Sequence, residues 1–168
     1  MNIFYLHENP YPCAVMHCDK HVIKMVLESA QMLSTAHRIL DGDEFADRNN
    51  LYKAAHVKHP SSIWVRQSAK NYQWLVDLWY NLGQEYSLRY EGRIHKSSSL
   101  GALTTLPVNI PQDDEFTPPP QCMPDKYKQE NTVQAYRDYY CGEKASFACW
   151  HVYPNAPSWF NNNVGALV

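Results

Sequence analysis

The sequence predicts an all-α protein built as one domain over 1–168, and three observations predict it. Apolar residues recur at helical spacing through 13–40 and again through 60–90, no run alternates long enough for a sheet, and the prolines of 112–124 let no second core start there. The chain holds no internal repeat. Its 168 residues suffice to bury about two thirds of the unfolded surface without staples.

Each element follows from local residues. Met1 to Leu6 reads as an extended entry, and the prolines of Asn9-Pro10-Tyr11-Pro12 then allow a helix to begin. That helix runs from about Cys13 to Leu40 without Gly or Pro, until Asp41-Gly42-Asp43 stops it. Residues 43–57 are polar and mixed, with a short helix expected around Leu51, Tyr52, Ala54 and Ala55. His59-Pro60-Ser61-Ser62 starts a second long helix, whose periodicity passes through Ile63, Trp64, Leu75, Leu78, Trp79, Leu82 and Tyr86 towards Tyr90. Leu106-Pro107, Ile110-Pro111 and the run Thr117-Pro118-Pro119-Pro120-Gln121-Cys122-Met123-Pro124 exclude regular helix, so 112–124 is expected to lie extended over the surface. Asn131 and Gln134 have capping-box spacing and open a helix through Tyr136, Tyr139 and Tyr140, with Gly142 as its end. Phe147, Trp150, Tyr153, Trp159 and Phe160 make the tail too aromatic for disorder, and it is expected to pack back on the helices.

Composition narrows the function classes. Five cysteines without CxxC pairing, no signal peptide and no long apolar run predict a reduced cytoplasmic protein with no membrane partner. Fifteen Lys and Arg against seventeen Asp and Glu give a net charge of −2, which excludes a global field towards nucleic acid and leaves only a local basic patch. The twelve Tyr, five Trp and five Phe either fill the core or recognise planar ligands.

Chemistry concentrates on the first long helix. His17, His21, Lys24, Glu28, Gln31 and Thr35 stay within about 40° of one line at helical rotation, a polar stripe flanked by Val15, Val22, Val26, Leu33, Leu40 and by Met16, Ile23, Leu27, Ala30. Such a stripe is either a satisfied internal network or the floor of a site. His17 and His21 have the spacing by which one helix offers two ligands to a metal ion, with His7, His37, His56, His59 and His95 as further candidates, although His37 is turned about 160° from His21. Hydrogen-bonded structural histidines and acid–base or phosphate contact are the other readings of that pair. Lys24 and Glu28 form either a surface ion pair or the carboxylate beside an amine that stabilises positive charge on a sugar ring. His56-Val57-Lys58-His59-Pro60-Ser61-Ser62 with Arg66 and Lys70 makes either a phosphate site at a helix start or a turn capped by its own serines.

With these pieces in order, the chain resembles the small all-α pyrimidine-dimer DNA glycosylases of the phage endonuclease V type. The resemblance rests on a chain start leading almost at once into a helix with His21 and Glu28, then Gln31-Met32-Leu33-Ser34-Thr35-Ala36-His37-Arg38 and His59-Pro60. A long helix ending in Leu82-Gly83-Gln84-Glu85-Tyr86 with Arg89-Tyr90, and the aromatic pairs Tyr139-Tyr140 and Trp159-Phe160, complete it. It implies attack by an N-terminal α-amine on C1′ of a damaged nucleotide, giving an imine, with Glu28 assisting glycosidic cleavage and later strand scission. Asn2 stands where the family has the Thr that is exposed once Met is removed, so the amine falls to Met1 or Lys24. His17, His21, Gln31, His59, Arg66, Lys70 and Tyr72 are then site-lining or nucleic-acid-binding groups, with Tyr72, Trp64 or the aromatics of the tail expected to stack on an extruded base. The implied partner is DNA or a nucleotide, and no cofactor is required.

The chain also resembles phage-encoded proteins that share His17-Cys18-Asp19-Lys20-His21 and Thr117-Pro118-Pro119-Pro120-Gln121, which implies action in a host cytoplasm. Two other classes stand beside the glycosylase reading. One is a hydrolase or binding protein that holds a divalent metal ion on His17 and His21 with His56, His59 or His95. The other is a non-enzymatic interaction protein that offers 111–124 and the aromatic tail to a partner.

Overall fold

The computed structural model describes residues 1–151 and 155–160, and no β-strand occurs among them. Helices α1 (Pro10–Met16), α3 (Asp43–Arg48) and α4 (Pro60–Val65) pack on the pair formed by α2 (Asp19–Asp41) and α5 (Ala69–Arg89), and α6 (Thr132–Tyr139) lies against the chain start, with Tyr136 and Tyr139 on Phe4. All-α architecture therefore holds. From α2, Val22, Met25, Val26, Met32 and Leu33 are fully buried, and from α5 Leu75, Leu78 and Leu82 join them; each such side chain contributes about 1.5–3 kcal/mol by leaving water. Extended residues 3–6 are buried beside this pair, so the chain's first residues form part of the core. Ile23, expected on a buried flank of the stripe, is instead 41% exposed.

The helix expected over 13–40 is two helices. His17 and Cys18 are extended, and the break has no Gly or Pro to announce it. Distant groups satisfy the backbone there: Arg89 donates to the Val15 and His17 carbonyls, the Tyr140 hydroxyl accepts from Cys18 N–H, and the Cys149 carbonyl accepts from Asp19 N–H. The long helix expected from Pro60 also divides, at Arg66 to Ser68. The Ser68 side chain caps α5 by accepting from Asn71 N–H at 3.0 Å, and Ala69 N–H reaches the Pro111 carbonyl at 2.8 Å.

The short helix forms at Asp43–Arg48 rather than around Leu51 to Ala55. Gly42, at φ 81°, stops α2 as expected and caps α3, whose first turn carries Asp43 and Glu44. Buried Arg38 then gathers Asp43 at 2.6 Å, Asp47 at 2.9 Å and the carbonyls of Leu51 and Tyr52, which holds 51–55 extended along α2.

The proline-rich stretch is extended, as expected, but is fastened to the core. Trp64 Nε1–H donates to the Thr117 carbonyl at 2.9 Å, Thr117 N–H donates to Asn71 Oδ1 at 3.1 Å, and Phe116 packs edge-on to Trp64. Only half of the capping box forms at α6, because Asn131 accepts from Gln134 N–H while the Gln134 side chain reaches forward to Asp138. Gly142 does not end that element, since a wide π turn continues through Tyr140–Lys144. Its role is close approach: a Cβ on Gly142 would lie 2.6 Å from Tyr127 Cζ. Gly142→Ala is thus expected to lose about 1–2 kcal/mol despite alanine's better helix propensity. Thermal unfolding of Gly142→Ala with and without Tyr127→Ala would check it, since the double variant should recover the loss.

The tail packs back: Trp159 meets Tyr140 edge-on at 6.0 Å and Trp150 lies 4.9 Å from Phe160. Tyr153 lies outside the described residues. Among the described residues no helix is long and apolar enough to cross a membrane.

Candidate functional site along helix α2

The six stripe residues do share a helix line, apart from His17 at the break, but the structure divides them into three environments. At the N-terminal end His17 and His21 sit in an aromatic network. His17 Nδ1–H donates to the Cys13 carbonyl at 2.7 Å, because a carbonyl can only accept, and this leaves Nε2 as a buried lone pair with no hydrogen-bond partner. His21 stacks on Phe4 at 4.3 Å, with Tyr140 and Phe147 edge-on. The Tyr140 oxygen accepts from Cys18 N–H, pairs with His21 Nδ1 at 2.6 Å and lies 3.5 Å from Cys18 Sγ.

Burial, the first cause in both cases, pushes His17 down to about 4 and His21 down to about 3. Both are neutral in the folded chain near neutral pH. Below pH 6.5, their ordinary value, the unfolded chain takes up protons that the folded chain refuses. Stability is therefore complete above about pH 6.5 and falls by up to about 1.4 kcal/mol per histidine for each pH unit towards 4. Urea midpoints at pH 7 and pH 5 check this, and equal midpoints would show that the two rings are not held neutral.

The C-terminal end of the stripe is structural. Thr35 Oγ1 donates to the Gln31 carbonyl at 2.8 Å and accepts from Ala55 N–H at 3.1 Å, which ties 51–55 to α2. His37, on the far side, donates from Nε2 to the Thr105 carbonyl at 2.9 Å and stacks on Phe45, beside a cavity of about 350 Å³ that it lines with Asp41 and Arg48.

The middle is the open part. Lys24 Nζ lies 3.4 Å from Glu28 Oε1, and their side chains are 54% and 14% exposed. Glu28 Oε2 is buried without a hydrogen-bond partner, a carboxylate oxygen with free accepting capacity. Gln31 follows on the same face, half-buried. On α4, which packs against α2, His59 is the N-cap, and its Nδ1 accepts from Ser61 N–H at 3.1 Å, so the neutral ring carries its proton on Nε2. Desolvation first, then the Met1 amine and His56, hold His59 below its ordinary value, while Glu28 acts in the opposite direction. The Met1 amine and Glu28 therefore act in opposite directions on the charge of one imidazole. Met1 is held there: Ser62 Oγ donates to its Sδ at 3.5 Å, and Asn2 is fixed by the Cys122 carbonyl and the Tyr136 hydroxyl.

Other residues singled out in the sequence lie elsewhere. Tyr72 is fully buried and donates to the Leu103 carbonyl at 2.8 Å, so its ring is core and has no free face for a base. Trp64 is likewise buried. Arg66 is spent on the Ser62 and Val57 carbonyls, and Lys70 pairs with Glu115 at 2.7 Å, so neither stands as a free phosphate contact. His95 caps a short 3-10 turn by accepting from Ser97 N–H. Among the described residues His17 and His21 do not converge with His56, His59 or His95 as a ligand set. Sequence reading missed Phe4 and Tyr140, the ring partners of His21; the apolar entry 3–6 was the available signal for the first.

No family model, curated protein or solved structure matches this chain.

Proposed function

We propose that the chain is a DNA-acting enzyme of the glycosylase type, in which an amine and Glu28 cleave the N-glycosidic bond of a damaged or modified base. One observation carries this reading: on the open stretch of α2, Glu28 keeps a buried carboxylate oxygen with no hydrogen-bond partner, 3.4 Å from the Lys24 amine through its other oxygen, and both the Met1 amine and Glu28 act on the charge of His59. Met1 is the better amine. An α-amine is intrinsically less basic than a lysine ammonium, and Lys24 is already bound to Glu28.

The chemistry follows in order. The amine lone pair attacks C1′ as the glycosidic electron pair leaves with the base, which takes a proton from solvent. The attached nitrogen then loses a proton, and its lone pair breaks the C1′–O4′ bond, opening the sugar with protonation of O4′ and giving the protonated imine. Glu28 opposes the positive charge that grows on the sugar, and its free Oε2 accepts a proton from C2′ when the strand is cut. A neutral His59 adds no competing cation and keeps one N–H to donate to a sugar or phosphate oxygen.

Borohydride trapping on duplexes with an abasic site or a pyrimidine dimer tests the proposal. The expected result is a covalent protein–DNA adduct that persists in Lys24→Ala and disappears when the α-amine is acetylated. No adduct on either duplex would overturn it.

A further inference from the structure

We propose a divalent-metal site of the zinc type at Asp19, Cys149 and His151, separate from the site at Glu28. One ligand atom from each residue, a carboxylate oxygen, a thiol sulfur and an imidazole nitrogen, lies within 4.8 Å of the other two. Among the described residues no other group of three such side chains comes together. The histidine pair that the sequence offered for a metal is buried in rings and hydrogen bonds, whereas this trio stands where α2 starts and the 149–151 segment crosses it.

The backbone already holds the trio in place. Asp19 N–H donates to the Cys149 carbonyl at 2.9 Å, and Asp19 Oδ2 accepts from His151 N–H at 2.9 Å. Those contacts use the main chain of Cys149 and His151 and leave the thiol and imidazole free to turn inward. Tetrahedral zinc, with bonds of about 2.0–2.3 Å, needs ligand atoms about 3.3–3.8 Å apart. Closing from 4.8 Å asks for a movement of about 1 Å, and His151, an exposed residue, can supply it by side-chain rotation.

Charge favours a dication there. Arg89 reaches Asp19 Oδ1 at 3.1 Å, but its charge is balanced by buried Glu85, bound through two contacts at 3.0 and 3.1 Å. Asp19 therefore keeps its negative charge. Adding a Cys149 thiolate gives two negative charges, which one M²⁺ ion neutralises, and the proton lost by the thiol goes to solvent. A carboxylate, a thiolate and an imidazole form a set of mixed hardness suited to zinc rather than to calcium or magnesium, and the fourth position is left for water. Bound there, the ion would clamp 149–151 onto the start of α2.

Zinc titration of the full chain, purified without an affinity tag and stripped with EDTA, tests the site. The expected result is one equivalent bound in competition with a chromogenic chelator. Cys149→Ser and His151→Ala should each weaken binding at least about 100-fold, and His7→Gln and Glu28→Gln should leave it unchanged. His151→Ala is the cleaner variant, since it removes an exposed ring and keeps the N–H that Asp19 accepts. Cobalt substitution supplies a second readout: a thiolate-to-cobalt charge-transfer band that is absent in Cys149→Ser. Zinc binding equal in wild type, Cys149→Ser and His151→Ala, or no stoichiometric binding, would overturn the inference. Glycosylase activity enters none of these measurements.

Discussion

Arg89→Ala is expected to cost about 3–5 kcal/mol of stability. Its side chain is 2% exposed and all five of its N–H groups are used, on Glu85 twice, Asp19, and the carbonyls of Val15 and His17. Removing it leaves the Glu85 carboxylate, 4% exposed, buried without its counter-charge, and strips two carbonyls at the α1–α2 break of their donor. Urea unfolding at pH 7 is the measurement. Replacing both Arg89 and Glu85 by Met should recover part of the loss, because the Glu85 charge is then not stranded, while Asp19, 13% exposed, still loses its partner. A loss below about 1 kcal/mol in Arg89→Ala would mean that the break between α1 and α2 is held by something else.

Glu28→Gln is expected to slow glycosidic cleavage by about 10²–10⁴-fold, the range over which a positioned acid–base group acts. Stability should barely change. The Lys24–Glu28 pair is an i,i+4 pair with an exposed lysine, worth a few tenths of a kcal/mol, and glutamine keeps the shape and an acceptor oxygen. Single-turnover cleavage of a dimer-containing duplex, alongside urea unfolding of the same protein, separates the two effects. Full cleavage by Glu28→Gln would remove the carboxylate from the mechanism and leave the amine alone to be explained.

Both variants bear on how far the chain could be read before its fold was seen. The helical stripe and its most reactive pair were legible, because the spacing of Lys24 and Glu28 is a property of any helix that contains them. That His17 and His21 are buried was not, since their covers are Phe4 from the chain start and Tyr140 from beyond α6. The same limit explains Tyr72 and Arg66. An aromatic and a cation beside a promising helix start look available in sequence, and only the carbonyls of Leu103, Ser62 and Val57 reveal that their polar atoms are already used.

The amino-acid sequence by itself determined the helical class, the stop at Gly42, the cap at Asn131, the extended proline stretch and the face on which Glu28 lies. Each of these depends on residues within a few positions of one another, where propensity, capping and periodicity act. Only the tertiary structure decided where helices break and which polar groups remain free. Backbone groups at the His17–Cys18 break are satisfied by Arg89, Tyr140 and Cys149, between 70 and 130 residues away by about those counts, and burial leaves a polar atom unused only where no such partner arrives. The grouping of Asp19, Cys149 and His151, and the influence of the Met1 amine and Glu28 on His59, belong to that second kind: long-range packing chose them, and no local pattern encodes them.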